Sequence, residues 1–182
     1  TDLERIEKLF SSPLLGNLRV FQFYYGSEYD HRRRGNHPYP LGVLAANPAA
    51  ENLETLRFHA GRESVIEIDP LDALLRSPNL PNLKHLQVRM TQFGDEGARR
   101  VVDSGVLKKL KTLDLGHGNM SDEGAKLLAA CPDLKNLDLL DVSRNALTAK
   151  GIASLKKTGV KVVAEFQHEV DNDEYLYEVD HE

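Results

Sequence analysis

The sequence predicts an α/β fold: a right-handed solenoid with a parallel β-sheet on its concave side and helices on its convex side. Three observations carry this. The pattern LxxLxL occurs five times. A short phrase that breaks a helix precedes each copy. Between the later copies stand apolar segments of helical period, in which Gly97, Gly124 and Gly151 recur every 27 residues. A fixed period of this length marks stacked supersecondary units.

The strands come first. LRVFQFYYGSE (18–28) contributes Leu18, Phe21 and Phe23, and LETLRFHAGRE (53–63) contributes Leu53, Leu56 and Phe58. LKHLQVRMTQF (83–93), LKTLDLGHGNM (110–120) and LDLLDVSRNAL (137–147) repeat the pattern through Leu83, Leu110 and Leu137. The first leucines are separated by 35, 30, 27 and 27 residues. Within each copy the xLxL part alternates, which puts its leucines on one face of a short strand. The preceding phrases are SSPLLGNL, ANPAAENL, SPNLPNL and CPDLKNL, with SGVLKKL using Gly in place of Pro. Proline there ends a helix and starts the turn into the next strand.

The helices follow the strands. Ala98 and Val101, Ala125 and Leu128, Ile152 and Leu155 are spaced three apart, on one helical face. One strand and one helix cannot bury their apolar sides alone, so stacked copies share a continuous core. A glycine inside a helix costs about 1 kcal/mol against alanine. Three at one interval therefore predict a common packing need, the close approach of each helix start to its neighbour or to the preceding loop. Ser121 and Thr148 are expected N-caps. Asp95, Glu96, Asp122 and Glu123 lie where acids complement the helix dipole.

LKTLDLGHGNMSDEGAKLLAA and LDLLDVSRNALTAKGIASL resemble leucine-rich repeats of the ribonuclease-inhibitor-like class, whose pattern is LxxLxLxxNxLxxxGxxxL. The likeness covers about residues 10–166. Asn145 matches the ladder asparagine of that class. Gly118, Thr91 and Gly61 stand in its place in earlier copies, so the ladder is expected to be mostly missing. More narrowly, LAANP, DEGA, LAACPDLKNL, VSRNALT and EYLYE resemble the C-terminal repeat region of planctomycete-type bacterial leucine-rich repeat proteins. That resemblance implies preceding segments. ERIEKLFSSP reads as the end of a helix from an earlier repeat, and the chain as part of a longer one. The expected organisation is a repeat array at 1–168 and an acidic tail or cap at 169–182.

Composition agrees with a folded, soluble, cytoplasmic protein. Of 182 residues, 41% are hydrophobic and 28% charged, unlike a disordered chain. Cys131 is the single cysteine, which excludes an internal disulfide framework and suggests a reducing compartment. No apolar run approaches the roughly 20 residues that span a bilayer. The net charge is −5, but the last fourteen residues hold seven acids and no Lys or Arg. The body has 23 basic and 21 acidic residues, a balance of +2.

Catalytic patterns are missing from the sequence. There is no phosphate-binding loop, no GxGxxG, no HExxH and no Cys-x-x-Cys. His59, His85 and His117 fall in different columns, His31 and His37 lack a third ligand, and Asp171 and Asp173 do not complete a calcium loop. Cys131 stands where Ser77 and Asn47 stand, at a helix end. No enzyme, cofactor or metal is expected.

Recognition surfaces are expected in two places. The first is the insertion YYGSEYDHRRRGNHPYP (24–40), where Tyr25, Tyr29 and Tyr39 interleave with Arg32, Arg33 and Arg34. The second is the outward row of each strand: Val20, Gln22 and Tyr24; Thr55, Arg57 and His59; His85, Gln87 and Arg89; Thr112, Asp114 and Gly116; Leu139, Asp141 and Ser143. Just beyond the strands come Tyr25, Ala60, Met90, His117 and Arg144. Aromatic and arginine side chains are favoured interface anchors. The expected partner-binding set is Tyr24, Tyr25, Arg32, Arg33, Arg34, Arg57, His59, Arg89, His117 and Arg144, with an unidentified protein as partner. Two other readings stand beside it: a structural spacer without a ligand, and nucleic-acid binding through the basic insertion. A last strand is expected within TGVKVVAEF (158–166), with Val162, Ala164 and Phe166 inward. EYLYEV in the tail is expected to cap the array.

Overall fold

The computed structural model describes residues 2–24, 37–60, 64–89 and 91–169. Eight strands are described: β1 (Val20–Tyr24), β2 (His37–Pro38), β3 (Thr55–His59), β4 (Ser64–Val65), β5 (His85–Arg89), β6 (Thr112–Asp114), β7 (Leu139–Asp141) and β8 (Lys161–Val163). Six of them form one parallel sheet in the order β1-β3-β5-β6-β7-β8, and β2 pairs with β4 in a second. Six helices alternate with the main strands: α1 (Asp2–Phe10), α2 (Leu41–Ala46), α3 (Ile68–Leu75), α4 (Gly94–Ser104), α5 (Asp122–Ala130) and α6 (Ala149–Lys156). This is the α/β solenoid that the repeat predicts.

The leucines share one dry seam. Phe21, Leu56, Leu86, Leu113, Leu140 and Val162 are paired in register across successive strands. Leu56, Leu86, Leu113 and Leu140 are each no more than 2% exposed. A second buried line, Leu53, Leu83, Leu110 and Leu137, closes the strand starts. Burying a leucine stabilises by roughly 1.5–3 kcal/mol, so the repeated positions supply most of the core.

Three of the four Pro-containing phrases fold as 3₁₀ turns, not as simple helix ends, and the remaining one, SPNLPNL, as plain turns. Pro13–Asn17, Pro48–Asn52 and Pro132–Asn136 each place proline in the first turn, where its missing N–H costs nothing. Ser12 and Asn47 cap two of these turns. The phrase with glycine, the fourth in the chain, uses Gly105 at φ +72° instead. A ladder of amides links these turns. The Asn52 amide donates to the Gly16 carbonyl (2.9 Å) and that of Asn82 to the Glu51 carbonyl (2.8 Å). In the fourth repeat the Lys109 ammonium takes this part and donates to the Leu80 carbonyl at 2.7 Å; burial holds its pKa below the ordinary lysine value.

A second ladder explains the glycines. The Asp95 carboxylate of α4 accepts hydrogen bonds from the Ser121 N–H (2.9 Å), the Ser121 hydroxyl (2.7 Å) and the Gly124 N–H (2.8 Å). Asp122 does the same one repeat later, accepting from the Thr148 N–H (2.9 Å) and hydroxyl (2.6 Å). Each aspartate thus caps the following helix as well as its own dipole. The carboxylate lies directly over the next glycine. A β-carbon on Gly124 would fall 2.5 Å from Asp95 Oδ1, and one on Gly151 would fall 2.2 Å from Asp122 Oδ1. Gly97 is closed off differently, by Phe93 Cβ at 2.8 Å. Ser121 and Thr148 are N-caps as expected, accepting from the Glu123 and Lys150 N–H groups.

This ladder makes stability acid-sensitive. The Thr148 hydroxyl, and less strongly the Thr148 and Gly151 N–H groups, hold the Asp122 carboxyl below the ordinary carboxylate value. A pKa lower in the folded than in the unfolded chain adds stability that is complete above the unfolded value. That stability is lost as pH falls through the folded value. Asp122→Ala is expected to cost about 1–2 kcal/mol at neutral pH and to flatten the fall in melting temperature in acid. Melting curves of both proteins across the acidic range check this.

The array closes at its C-terminal end by a substitution of roles. The Asn145 amide donates to the Leu115 carbonyl (2.9 Å) while its Oδ1 accepts from the Met120 N–H (2.9 Å). Gln167 repeats this with the Val142 carbonyl (3.0 Å) and the Leu147 N–H (3.0 Å). These partners lie 27 residues beyond those of Asn145, although Gln167 itself follows after only 22. Gln167 therefore continues the ladder with a longer side chain. The adjoining residue differs from expectation. Val162 and Ala164 pack against the core, but Phe166 is 74% exposed. Its φ of +53° matches that of Arg144 at +53° and His117 at +55°. This left-handed turn directs Gln167 inward and Phe166 outward. Of the tail or cap expected at 169–182, all but Glu169 lies outside the described residues, and the boundary at 168/169 becomes a proposal.

At the other end the core is aromatic. Phe10 meets Phe21 and Phe23 edge-on at 5.2 and 5.3 Å, and Phe58 lies 6.1 Å from Phe10. Tyr39 completes this cluster, edge-on to Phe23 at 5.6 Å and to Phe58 at 6.1 Å. It is 3% exposed, and its hydroxyl donates to the His59 carbonyl. The expected place of Tyr39 among recognition aromatics is thus corrected. It anchors the end of the insertion in the core, because its ring fills space between two repeats and its hydroxyl finds a backbone acceptor.

Candidate functional site

The outward residues of the main sheet form three rows, in the columns read from the alternation. The first row runs Val20, Thr55, His85, Thr112, Leu139 and Lys161; the second runs Gln22, Arg57, Gln87, Asp114, Asp141 and Val163. Tyr24, His59 and Arg89 begin the third row. Parallel pairing without slippage brings residues about 30 positions apart in sequence to neighbouring strands at about 4.8 Å. Over β3 to β7 these rows line a shallow groove of about 300 Å³, walled by Thr55, Arg57, His85, Gln87, Asp114 and Asp141.

The face changes character along its length. At the β1 end, Tyr24 is 49% exposed. Its ring meets that of His59 at 5.6 Å, and His59 in turn lies 5.9 Å from His117. Arg57 is exposed and donates to Gln22 Oε1 at 3.3 Å. His85 Nδ1 lies 2.9 Å from the Thr112 hydroxyl. Further along, Arg89 bridges two acids. Its Nε donates to Asp114 Oδ2 at 2.8 Å, and its Nη2 lies 2.8 Å from the same oxygen and 3.9 Å from Asp141 Oδ2. Burial pushes the Asp114 carboxyl above its ordinary value, while Arg89 and the Gly116 N–H pull it down. Asp141 Oδ1 accepts from the Ser143 N–H at 2.9 Å.

The expected binding residues therefore divide. Tyr24, Arg57, His59 and Arg89 come together on one face. Arg144 lies beyond it at the C-terminal rim, its guanidinium 5.4 Å above the Phe166 ring. His117 is corrected: it is 5% exposed, its ring packed 5.9 Å from that of His59. A partner on this face would meet His59 and not His117. Tyr25, Arg32, Arg33 and Arg34 lie outside the described residues. Sequence reasoning missed Phe166 as an exposed aromatic and missed Lys161 and Val163 as the ends of two rows. The alternation within KVV could have placed Lys161 and Val163; Phe166 follows from a left-handed turn shared with Arg144, which the sequence does not display. The described residues contain no cluster of His, Cys, Asp and Glu able to hold a metal ion. No described helix is long and apolar enough to cross a membrane.

Comparison with known proteins bears on the fold. A family model described as a Leucine Rich repeat matches residues 79–101 and 106–129. Among solved structures, a protein from Bacteroides fragilis is similar with a TM-score of 0.56 at 19% identity, over 74% of this chain and 44% of the other. An internalin from Listeria monocytogenes gives a TM-score of 0.39 at 17% identity, over 85% of this chain and 50% of the other. The chain thus spans half or less of the length of either. No curated protein sequence matches it.

Proposed function

The chain is a leucine-rich repeat protein, and from that premise we propose that it is a protein–protein interaction module. Its partner docks on the outward face of the sheet and on the 24–40 insertion. Such arrays in general present an extended surface to other proteins. The observation that carries the reading is the polar groove over β3 to β7, lined by Arg57, with the Tyr24–His59 ring pair on the neighbouring strands β1 and β3. Side chains of these types anchor interfaces when a partner dehydrates them. Three further residues of the proposed contact, Arg32, Arg33 and Arg34, are offered on the sequence alone.

Affinity capture from the source cells tests this, using the full chain, a Tyr24→Ala/Arg57→Ala variant and a deletion of 25–36. The expected result is that a protein partner is retained by the full chain and lost by both variants. The melting temperature of the Tyr24→Ala/Arg57→Ala variant should barely move, since surface changes usually stay within about 0.5 kcal/mol. Failure of the full chain to retain any protein would favour a spacer without a ligand, and undiminished capture by that variant would place the contact away from Tyr24 and Arg57. Binding that collapses with added salt and depends on Arg32–Arg34 would favour a nucleic acid instead.

A further inference from the structure

We propose that the partner crosses this face as an extended segment carrying one acidic and one basic side chain four residues apart, the acid on Arg57 and the base on Asp141. The proposal rests on the docking face described above. Its basis is the charge order along the second row, Gln22, Arg57, Gln87, Asp114, Asp141 and Val163, one residue per strand in the order of the sheet.

Charge matching within the row leaves its two ends distinct. Arg89 is committed to Asp114 through Nε and Nη2, both at 2.8 Å. Its approach to Asp141 is 3.9 Å, longer than the 2.7–2.9 Å of a charge-assisted hydrogen bond. Asp141 gives one oxygen to the Ser143 N–H and lines the groove, so two acids, Asp114 and Asp141, share the single positive charge of Arg89. At the other end Arg57 is exposed and touches the neutral Gln22 amide. The groove therefore has a cation on β3 and an anion on β7. Between them stand the hydrogen-bonding groups His85, Gln87 and Thr112 and the Arg89–Asp114 pair.

The spacing selects the geometry of the guest. From β3 to β7 there are three strand intervals, about 14 Å in all. An extended chain advances about 3.3–3.4 Å per residue, so four residues cover the span. Side chains alternate along such a chain, so residues i and i+4 face the sheet together, whereas i+3 or i+5 would turn one charge to solvent. In a helix four residues cover only about 6 Å and could not reach both ends.

The test uses the full chain and a phage-displayed library of random linear peptides, with enriched peptides then synthesised and titrated. Wild-type protein is expected to enrich peptides with an acid and a base at i and i+4, in either order. Arg57→Glu should select two bases at that spacing, and Asp141→Lys two acids. Each swap should weaken binding of wild-type peptides at least ~10-fold, because like charges then face each other. Peptides that need Tyr24 and Arg57 but show no charge pair at i, i+4 would overturn this proposal and leave the docking face standing. Peptides indifferent to Tyr24→Ala/Arg57→Ala and to both swaps would overturn the two together. Failure to enrich any peptide on the wild-type chain would also overturn the proposal. Melting curves of each variant confirm that the fold is kept.

Discussion

Phe58→Ala is expected to destabilise the protein by about 3–5 kcal/mol, the usual cost of emptying a buried aromatic site. Phe58 is 0% exposed. It stands where Val88 and Val142 stand in later repeats, so the N-terminal core has been built around a larger side chain. Its ring packs against Phe10, Phe21 and Tyr39 at 6.1–6.3 Å, and aromatic pairs add about 0.5–1.5 kcal/mol beyond burial. Repeats touch only their neighbours, so the loss should stay local. Hydrogen exchange is expected to quicken in β1 and β3 and to change little in β6 and β7. Chemical denaturation gives the size of the effect and exchange gives its place. A loss under about 1 kcal/mol, or one spread evenly over all strands, would contradict a locally coupled aromatic core.

Gly124→Ala should destabilise by about 2–3 kcal/mol, against the usual trend. In an open helix the same change stabilises by about 1 kcal/mol. Here the added carbon would lie 2.5 Å from both Asp95 Oδ1 and Met120 Cγ. Overpacking of this kind costs about 1–3 kcal/mol. The aspartate must also withdraw from three donors, Ser121 N–H, Ser121 hydroxyl and Gly124 N–H. Gly42 in α2 supplies the control, because a β-carbon there meets nothing within 4 Å; Gly42→Ala should be neutral or stabilising. In an Asp95→Ala background the cost of Gly124→Ala should shrink, a coupling that a double-mutant cycle measures. Equal behaviour of the two glycines in urea denaturation would remove the aspartate from the explanation.

The candidate face shows the same division between pattern and packing. Its rows were legible because alternation decides which strand residues point outward, and the shared place within each LxxLxL copy decides which ones become neighbours, whatever the length of the loop between copies. Arg57 and His59 could be placed beside Tyr24 on that basis. The matching of Arg89 to Asp114 was not legible, since either of two acids in the row was within reach. Nor was the burial of His117, whose left-handed backbone a non-glycine residue rarely adopts. Tyr39 read as part of a polar insertion. Only the aromatic gap between two repeats makes it core.

Taken by itself, the order of residues determined the strands, the buried seam, the N-caps at Ser121 and Thr148, and the need for space at three glycines. All of these are local or repeat by translation, so one period specifies them many times over. Tertiary structure alone decided that Asp95 and Asp122 reach forward to cap the next helix, that Gln167 takes over from Asn145 at a shortened interval, and that Phe166 points to solvent. The first recurs with the period and the last two break it, but each depends on side-chain reach between segments, and reach is a property of distance in space.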